Sequence, residues 1–273
     1  MYRIFDLHND FYLKLNTDKK RIGYISKSDK FAENIVSAIW TSELNEAESF
    51  SAIDRAREFV NDNDKLFLGV EDLHFLSRDN LDKFLSFRPI YSGLTWNRSN
   101  CLAGGAHESG GLTSFGKRVV SALELNNIVL DTAHLNETSF MDVFKYSQKP
   151  VICSHTACYG LTHNERNLKD YQIKMIIDSG GIVGLCLVSN FLNGTNKSKI
   201  EDVVCQIDYF ACKFGINNLA LGTDFFGTDN IPTGVTNYKK LSKKLSFALE
   251  KLGYTQKSIN KIFYENAKLF FKF

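Results

Sequence analysis

The chain has 273 residues, of which 44% are hydrophobic and 23% charged, and 33 basic against 31 acidic side chains leave a net charge of +2. A chain of this length and apolar content buries one large core, which excludes a disordered or fibrous protein. The charges are well mixed and no basic stripe is interleaved with aromatics, so a nucleic-acid surface is excluded as the main activity.

In chain order, the run Tyr2–Asp10 reads as a first strand and Asn34–Trp40 as a second. An amphipathic helix is expected over Glu43–Val60, then strands over Leu66–Glu71 and Pro89–Trp96. Next come a helix over Phe115–Leu125, a strand over Ile128–His134, a helix over Thr138–Ser147 and a strand over Pro150–His155. The pattern continues with a helix over Leu168–Asp178, a strand over Gly181–Val188, a helix over Ile200–Phe214 and a strand over Leu219–Asp224. The lysine-rich stretch from Lys239 to Lys251 is the solvated face of a helix. Gln256–Phe270, with apolar Ile259, Ile262, Phe263, Ala267 and Phe270, predicts a last one against the outer wall. The strand runs are mostly continuously apolar, as strands covered on both faces are. Eight strands alternating with helical patterns predict an α/β fold, a TIM-type (β/α)8 barrel with an extra C-terminal helix, spanning 1–273 as a single domain. A doubly wound open sheet would carry a glycine-rich loop after its first strand, and Asn9-Asp10-Phe11-Tyr12-Leu13 has no glycine.

The chain opens Met1-Tyr2-Arg3 and enters its first strand at once, so no signal peptide is expected. No apolar stretch reaches the ~18 residues that would suggest a membrane span. The six cysteines form no CxxC pair, and several lie in apolar runs where a free thiol behaves as a small hydrophobe. They read as reduced and the protein as cytoplasmic.

Active sites of such barrels gather at the C-terminal ends of the strands. The polar residues there are His8 and Asp10 on the first strand, Glu71 on the third, His134 on the fifth, His155 on the sixth and Asp224 on the eighth. His8 and Asp10 are two residues apart and point to the same face of a strand, so both can grip one cation. Carboxylates converging on one rim repel one another unless cations offset the charge. Imidazole and carboxylate suit Zn²⁺, although manganese or cobalt can replace it, and the number of ligands suits two ions. His8 and Asp10 would hold one and His134 and His155 the other, with Glu71 bridging. A bridging water would become hydroxide near neutral pH, and Asp224 would orient it and carry its proton.

The segments Asp6-Leu7-His8-Asn9-Asp10, Gly69-Val70-Glu71, Gly93-Leu94-Thr95-Trp96-Asn97 and Gly111-Leu112-Thr113-Ser114-Phe115-Gly116 carry a family pattern. It continues through Asp131-Thr132-Ala133-His134, Ser154-His155, Arg166-Asn167 and Gly222-Thr223-Asp224-Phe225. In order and content these pieces resemble the renal (membrane) dipeptidase family of two-zinc peptidases, peptidase family M19. The resemblance implies the same metal ligands and the same acid/base. It adds Arg166, matching an arginine that in the family holds the substrate's terminal carboxylate through two parallel hydrogen bonds.

Two positions depart from the family. Trp96 stands where the family has a histidine that polarises the scissile carbonyl, and an indole N–H donates one neutral hydrogen bond but carries no charge. His107, in the loop Gly104-Gly105-Ala106-His107, is a candidate replacement. Phe226 stands where the family has a further aspartate. The expected activity is cleavage of a dipeptide by a metal-dependent hydrolase, with a small peptide or amide as partner and neither nucleic acid nor membrane. Trp96 leaves open another small amide, such as an N-acyl amino acid or a modified peptide. A barrel that has lost catalysis and serves as a binding protein is the third reading, and the complete metal set argues against it. Such barrels commonly form homodimers, and the sequence marks no interface.

Overall fold

The computed structural model describes residues 2–11 and 32–272. Every apolar run expected as a strand forms one: β1 (Ile4–Asn9), β2 (Ala32–Trp40), β3 (Leu66–Glu71), β4 (Tyr91–Gly93), β5 (Val129–Asp131), β6 (Ile152–Thr156), β7 (Ile182–Leu185) and β8 (Leu219–Leu221). They follow one another in chain order and close into a parallel barrel. Helices α1 (Glu46–Asn61), α2 (Leu81–Leu85), α3 (Ser114–Leu125), α4 (Glu137–Tyr146), α5 (Asp170–Asp178), α6 (Ser189–Asn193), α7 (Ile200–Phe214) and α8 (Tyr238–Lys251) occupy the connections. Among the described residues no helix is long and apolar enough to cross a membrane. β4, β5 and β8 are shorter than their apolar runs: they end before Trp96, His134 and Asp224 and hand those residues to loops.

The chain divides into two compact units, Met1–Ile35 with Ser154–Phe273, and Val36–Cys153. In the first, β1 pairs with β8, Asp6 opposite Leu221, and β8 with β7. Gly222 has no side chain because a Cβ there would run into the Ser154 carbonyl. Helix α7 buries Val203, Val204, Ile207 and Phe210, an i, i+3/i+4, i+7 stripe. Helix α8 starts at Asn237, whose side chain accepts from the Lys240 amide, and buries Tyr238, Leu241, Leu245 and Leu249 while its lysines stay in water.

The C-terminal segment runs as α9 (Gln256–Asn260), a π turn (Lys261–Glu265) and α10 (Asn266–Phe271), where an α-helical period had predicted one continuous helix. Ile259, Ile262, Phe263 and Ala267 are buried as expected. Phe263 meets the Tyr2 ring edge-on at 5.7 Å and Phe271 stacks on Phe5 at 5.9 Å, so this segment covers the outer side of β1. Truncating a ring as buried as Phe263 costs about 3–5 kcal/mol.

In the second unit, β3, β4, β5 and β6 pair in sequence. A reciprocal cap starts α1: Asn45 Oδ1 accepts from the Glu48 amide and Glu48 Oε2 from the Asn45 amide. Thr113 caps α3 and Asn136 caps α4. The second cap lies two residues after His134 and so anchors the loop that carries it.

Candidate metal centre

In the first unit, His8 lies within β1, Asp10 just past its end, His155 within β6, and Asp224 three residues beyond β8. His8 Nε2 is 3.4 Å from Asp10 Oδ2, as expected for residues two apart in an extended chain. Ligand atoms of His8, Asp10 and Asp224 all lie within 4.8 Å of one another. Two reciprocal backbone bonds hold the carboxylates there: the Asp224 amide donates to the His8 carbonyl (3.0 Å) and the Asp10 amide to the Phe225 carbonyl (2.9 Å). Asp224 sits at φ 58°, in the left-handed region where an aspartate is strained. A Cβ on Gly227 would collide with carboxylate oxygens of both Asp10 and Asp224, so glycine leaves the space over them open.

Beneath this cluster Asp6 is fully buried. It accepts from the Thr223 amide (2.7 Å), Thr223 Oγ1 (2.5 Å), Tyr238 Oη (2.6 Å) and the His8 amide (3.3 Å). Burial pushes its carboxyl up from 3.8 to about 6 against the opposing pull of the Thr223 and Tyr238 hydrogen bonds. Asp6 therefore ties the residue before Asp224 to the backbone of His8.

The His155 ring lies 3.8 Å from that of His8. Its Nδ1 is 2.8 Å from Ser154 Oγ and its Nε2 3.1 Å from Arg166 Nη2. With the guanidinium donating to Nε2, the ring proton is on Nδ1, and a metal ion on Nε2 would take the lone pair that Arg166 holds here. Arg166 is 6% exposed, and its Nε has no hydrogen-bond partner among the described residues. The loop holding it is built by Arg166 N–H donating to Asn164 Oδ1 and Thr156 Oγ1 donating to the Arg166 carbonyl.

In the second unit, Glu71 ends β3 and His134 follows β5 at φ 64°, its carbonyl accepting from Thr95 Oγ1 at 3.2 Å. His134 Nδ1 is 2.8 Å from Asn97 Oδ1 and Nε2 2.8 Å from Glu71 Oε1. An Nδ1–H donated to Asn97 leaves a lone pair on Nε2 facing a carboxylate oxygen. Two acceptors that close need positive charge between them, a proton or a metal ion. Both oriented rings and the converging carboxylates thus suit a divalent cation in donor type and protonation. Trp96 lies 5.8 Å from the His134 ring and meets Trp40, the last residue of β2, edge-on at 5.4 Å.

The expected site residues thus gather in two groups, His8, Asp10, His155 and Asp224 with Arg166, and Glu71 and His134 with Trp96. His107 does not join them: it is exposed, and its amide donates to the Asn97 carbonyl. Phe226 packs 5.6 Å from Phe11 and 6.4 Å from Phe225, an aromatic cluster in place of a carboxylate. The residues missed are supports: Asn97 and Ser154 orient imidazoles, Thr95 pins the His134 backbone, and Asp6 clamps two strand ends. Asn97, Ser154 and Asp6 each adjoin or nearly adjoin a site residue within the motif segments, which was the available signal. Trp40 carries no ionisable group and gave none.

The model of the membrane dipeptidase family (peptidase family M19) matches residues 33–271. An uncharacterized protein in the pqqA 5′ region of Klebsiella pneumoniae is 28% identical over 186 residues, 64% of this chain and 68% of its own length. Among solved structures, a metallopeptidase from Rhodobacter sphaeroides liganded with a phosphinate mimic of the dipeptide L-Ala-D-Ala superposes with a TM-score of 0.85 at 22% identity, over 100% of this chain and 99% of its own. The dipeptidase AC, a metallopeptidase of family M19, gives 0.86 at 23% over 99% and 98%. An amidohydrolase from Pseudomonas aeruginosa gives 0.82 at 21% over 99% and 96%. The solved structures share the barrel, and the family match extends from β2 through the last helix: this chain belongs to the membrane dipeptidase family, peptidase family M19, and is a metal-dependent hydrolase.

Proposed function

We propose that the protein is a dipeptidase using two zinc ions, with His8 and Asp10 holding one, His134 and His155 the other, and Glu71 bridging them. The observation that carries this reading is the convergence of His8, Asp10 and Asp224 ligand atoms within 4.8 Å, one imidazole and two carboxylates, a donor set suited to a divalent cation. When bound, the ions would acidify a water to a nucleophile at neutral pH and polarise the scissile carbonyl.

The chain's own groups do the rest. Asp224, partly open to solvent and fixed by its bond to the His8 carbonyl, takes a proton on a carboxylate oxygen and returns it to the departing amine. Arg166 holds the substrate's terminal carboxylate, its burial strengthening the charge-assisted bonds and limiting the length of peptide admitted. Ser154 and Asn97 keep the two imidazoles in the tautomer that offers Nε2. Trp96 borders His134 without the charge a histidine would bring, and the exposed His107 is too poorly placed to be assigned its role. The chain is taken as one barrel domain, since β2 and β6 each carry residues of both units. We place it in the cytoplasm, with a small peptide as partner and a homodimer as its assembly.

The dipeptide mimic in the Rhodobacter sphaeroides structure supports a dipeptide substrate. Trp96 beside His134 favours a second reading, hydrolysis of another small amide such as an N-acyl amino acid. A panel of L,L and L,D dipeptides and N-acetyl amino acids, run with the zinc-loaded protein and after chelation, separates the two. Zinc-dependent cleavage of dipeptides is expected. Cleavage of acylated amino acids alone would replace the first reading with the second.

A further inference from the structure

We propose that Trp40 and Trp96 form a substrate-selecting wall that admits dipeptides bearing a bulky apolar side chain and disfavours acidic ones. The inference rests on the dipeptidase reading and deepens it.

Trp40 closes β2 and Trp96 follows β4 by three residues, so both stand at the C-terminal rim. Their rings meet edge to face, 5.4 Å apart at 69°, and Trp96 lies 5.8 Å from His134 at 31°. His134 is itself 2.8 Å from Glu71. Each indole is only half-buried, which leaves broad apolar surface beside the residues assigned to the metals. Partly exposed aromatic surface next to polar site groups is what ligand-binding walls are made of. The Trp40 Nε1–H is buried and has no hydrogen-bond partner among the described residues, a donor that a phenylalanine would not have left unpaired. Among the described residues the indole therefore serves by its breadth and not by a hydrogen bond.

The chemistry of the wall ranks side chains. Leucine, methionine or phenylalanine would cover the ring faces and remove apolar surface from water. A carboxylate would meet the negative faces of two π systems and would lose its hydration without a donor in return. A lysine is tolerated better than an acid, because a cation is attracted to those faces.

These are the only two tryptophans in the chain, so its indole emission reports on the wall alone. The test uses the zinc-loaded protein, the dipeptides Leu-Ala, Ala-Leu, Lys-Ala, Ala-Lys, Asp-Ala and Ala-Asp, and phosphinate dipeptide mimics carrying a leucine or an aspartate side chain. At one of the two substrate positions kcat/KM for leucine should exceed that for aspartate by at least about tenfold, the scale of discrimination an apolar pocket reaches. The leucine mimic should shift tryptophan emission saturably and at least about tenfold more tightly than the aspartate mimic, and Trp96→Ala should level the preference. If aspartate dipeptides are cut as well as leucine ones, the wall is overturned while the peptidase reading stands. If no dipeptide is cut yet the leucine mimic alone moves the emission, the wall stands and the dipeptidase reading falls. Cleavage of nothing and an unmoved emission would overturn both.

Discussion

Replacing Asp224 by asparagine is expected to stabilise the metal-free protein while abolishing turnover. Asp10 and Asp224 hold carboxylate oxygens within 4.8 Å of each other, and Asp10 is 4% exposed. At an effective dielectric of about 20, two unit charges at that separation repel by about 3.5 kcal/mol. Asp224 is partly open to water, which trims the figure to about 1–3 kcal/mol. The left-handed φ of 58° suits asparagine as well as aspartate, so the change adds no backbone strain. The assay is urea unfolding in chelator at pH 8. The midpoint should rise at unchanged slope, and added zinc should stabilise wild type more than the variant. A variant no more stable than wild type in chelator would mean that the two carboxylates do not face each other as charges. Residual cleavage at the wild-type rate would remove Asp224 from the chemistry.

Three further outcomes follow from the same geometry. Asp6, raised to about 6 from 3.8, binds its proton more tightly in the folded state, so its contribution to stability is full below about pH 4 and is lost as pH rises through about 6. The loss is bounded by about 3 kcal/mol, and the difference between wild type and Asp6→Asn in chelator, followed from pH 4 to 8, should show it. Asn97→Ala should weaken zinc binding by about 10- to 100-fold in competition with a chromophoric chelator, because the His134 ring loses the acceptor on Nδ1; an unchanged affinity would sink that role. Thiol alkylation at pH 8 should add label at the exposed Cys101, Cys205 and Cys212 and leave Cys153, Cys158 and Cys186 untouched until the protein is unfolded. Burial pushes the Cys158 thiol up to about 12, so it stays protonated as well as shielded, and mass spectrometry of the native adduct would expose any error.

Much of the site could be read from strand periodicity. The two-residue spacing of His8 and Asp10 puts them on one face of a strand, and their side chains approach to 3.4 Å. Glu71 and His155 lie within β3 and β6 as expected. His134 and Asp224 do not lie on strands: each sits beyond a strand end in a left-handed backbone. No local propensity places a histidine there. Thr95 Oγ1 bonding the His134 carbonyl and the His8 carbonyl accepting from the Asp224 amide impose it. The π turn at Lys261–Glu265 was likewise hidden, since its apolar residues keep a spacing that a plain α-helix also satisfies.

The sequence by itself determined the barrel, its eight strands and the residue types at their ends, because hydrophobic periodicity is local and metal chemistry limits which side chains can serve. Only the tertiary structure decided how those side chains are aimed. Asn97 sets the His134 tautomer, Asp6 joins β1 to the loop after β8, and Trp40 meets Trp96 across two strand ends. Each of these is a contact between residues whose approach depends on strand register, and register exists only once the sheet has formed.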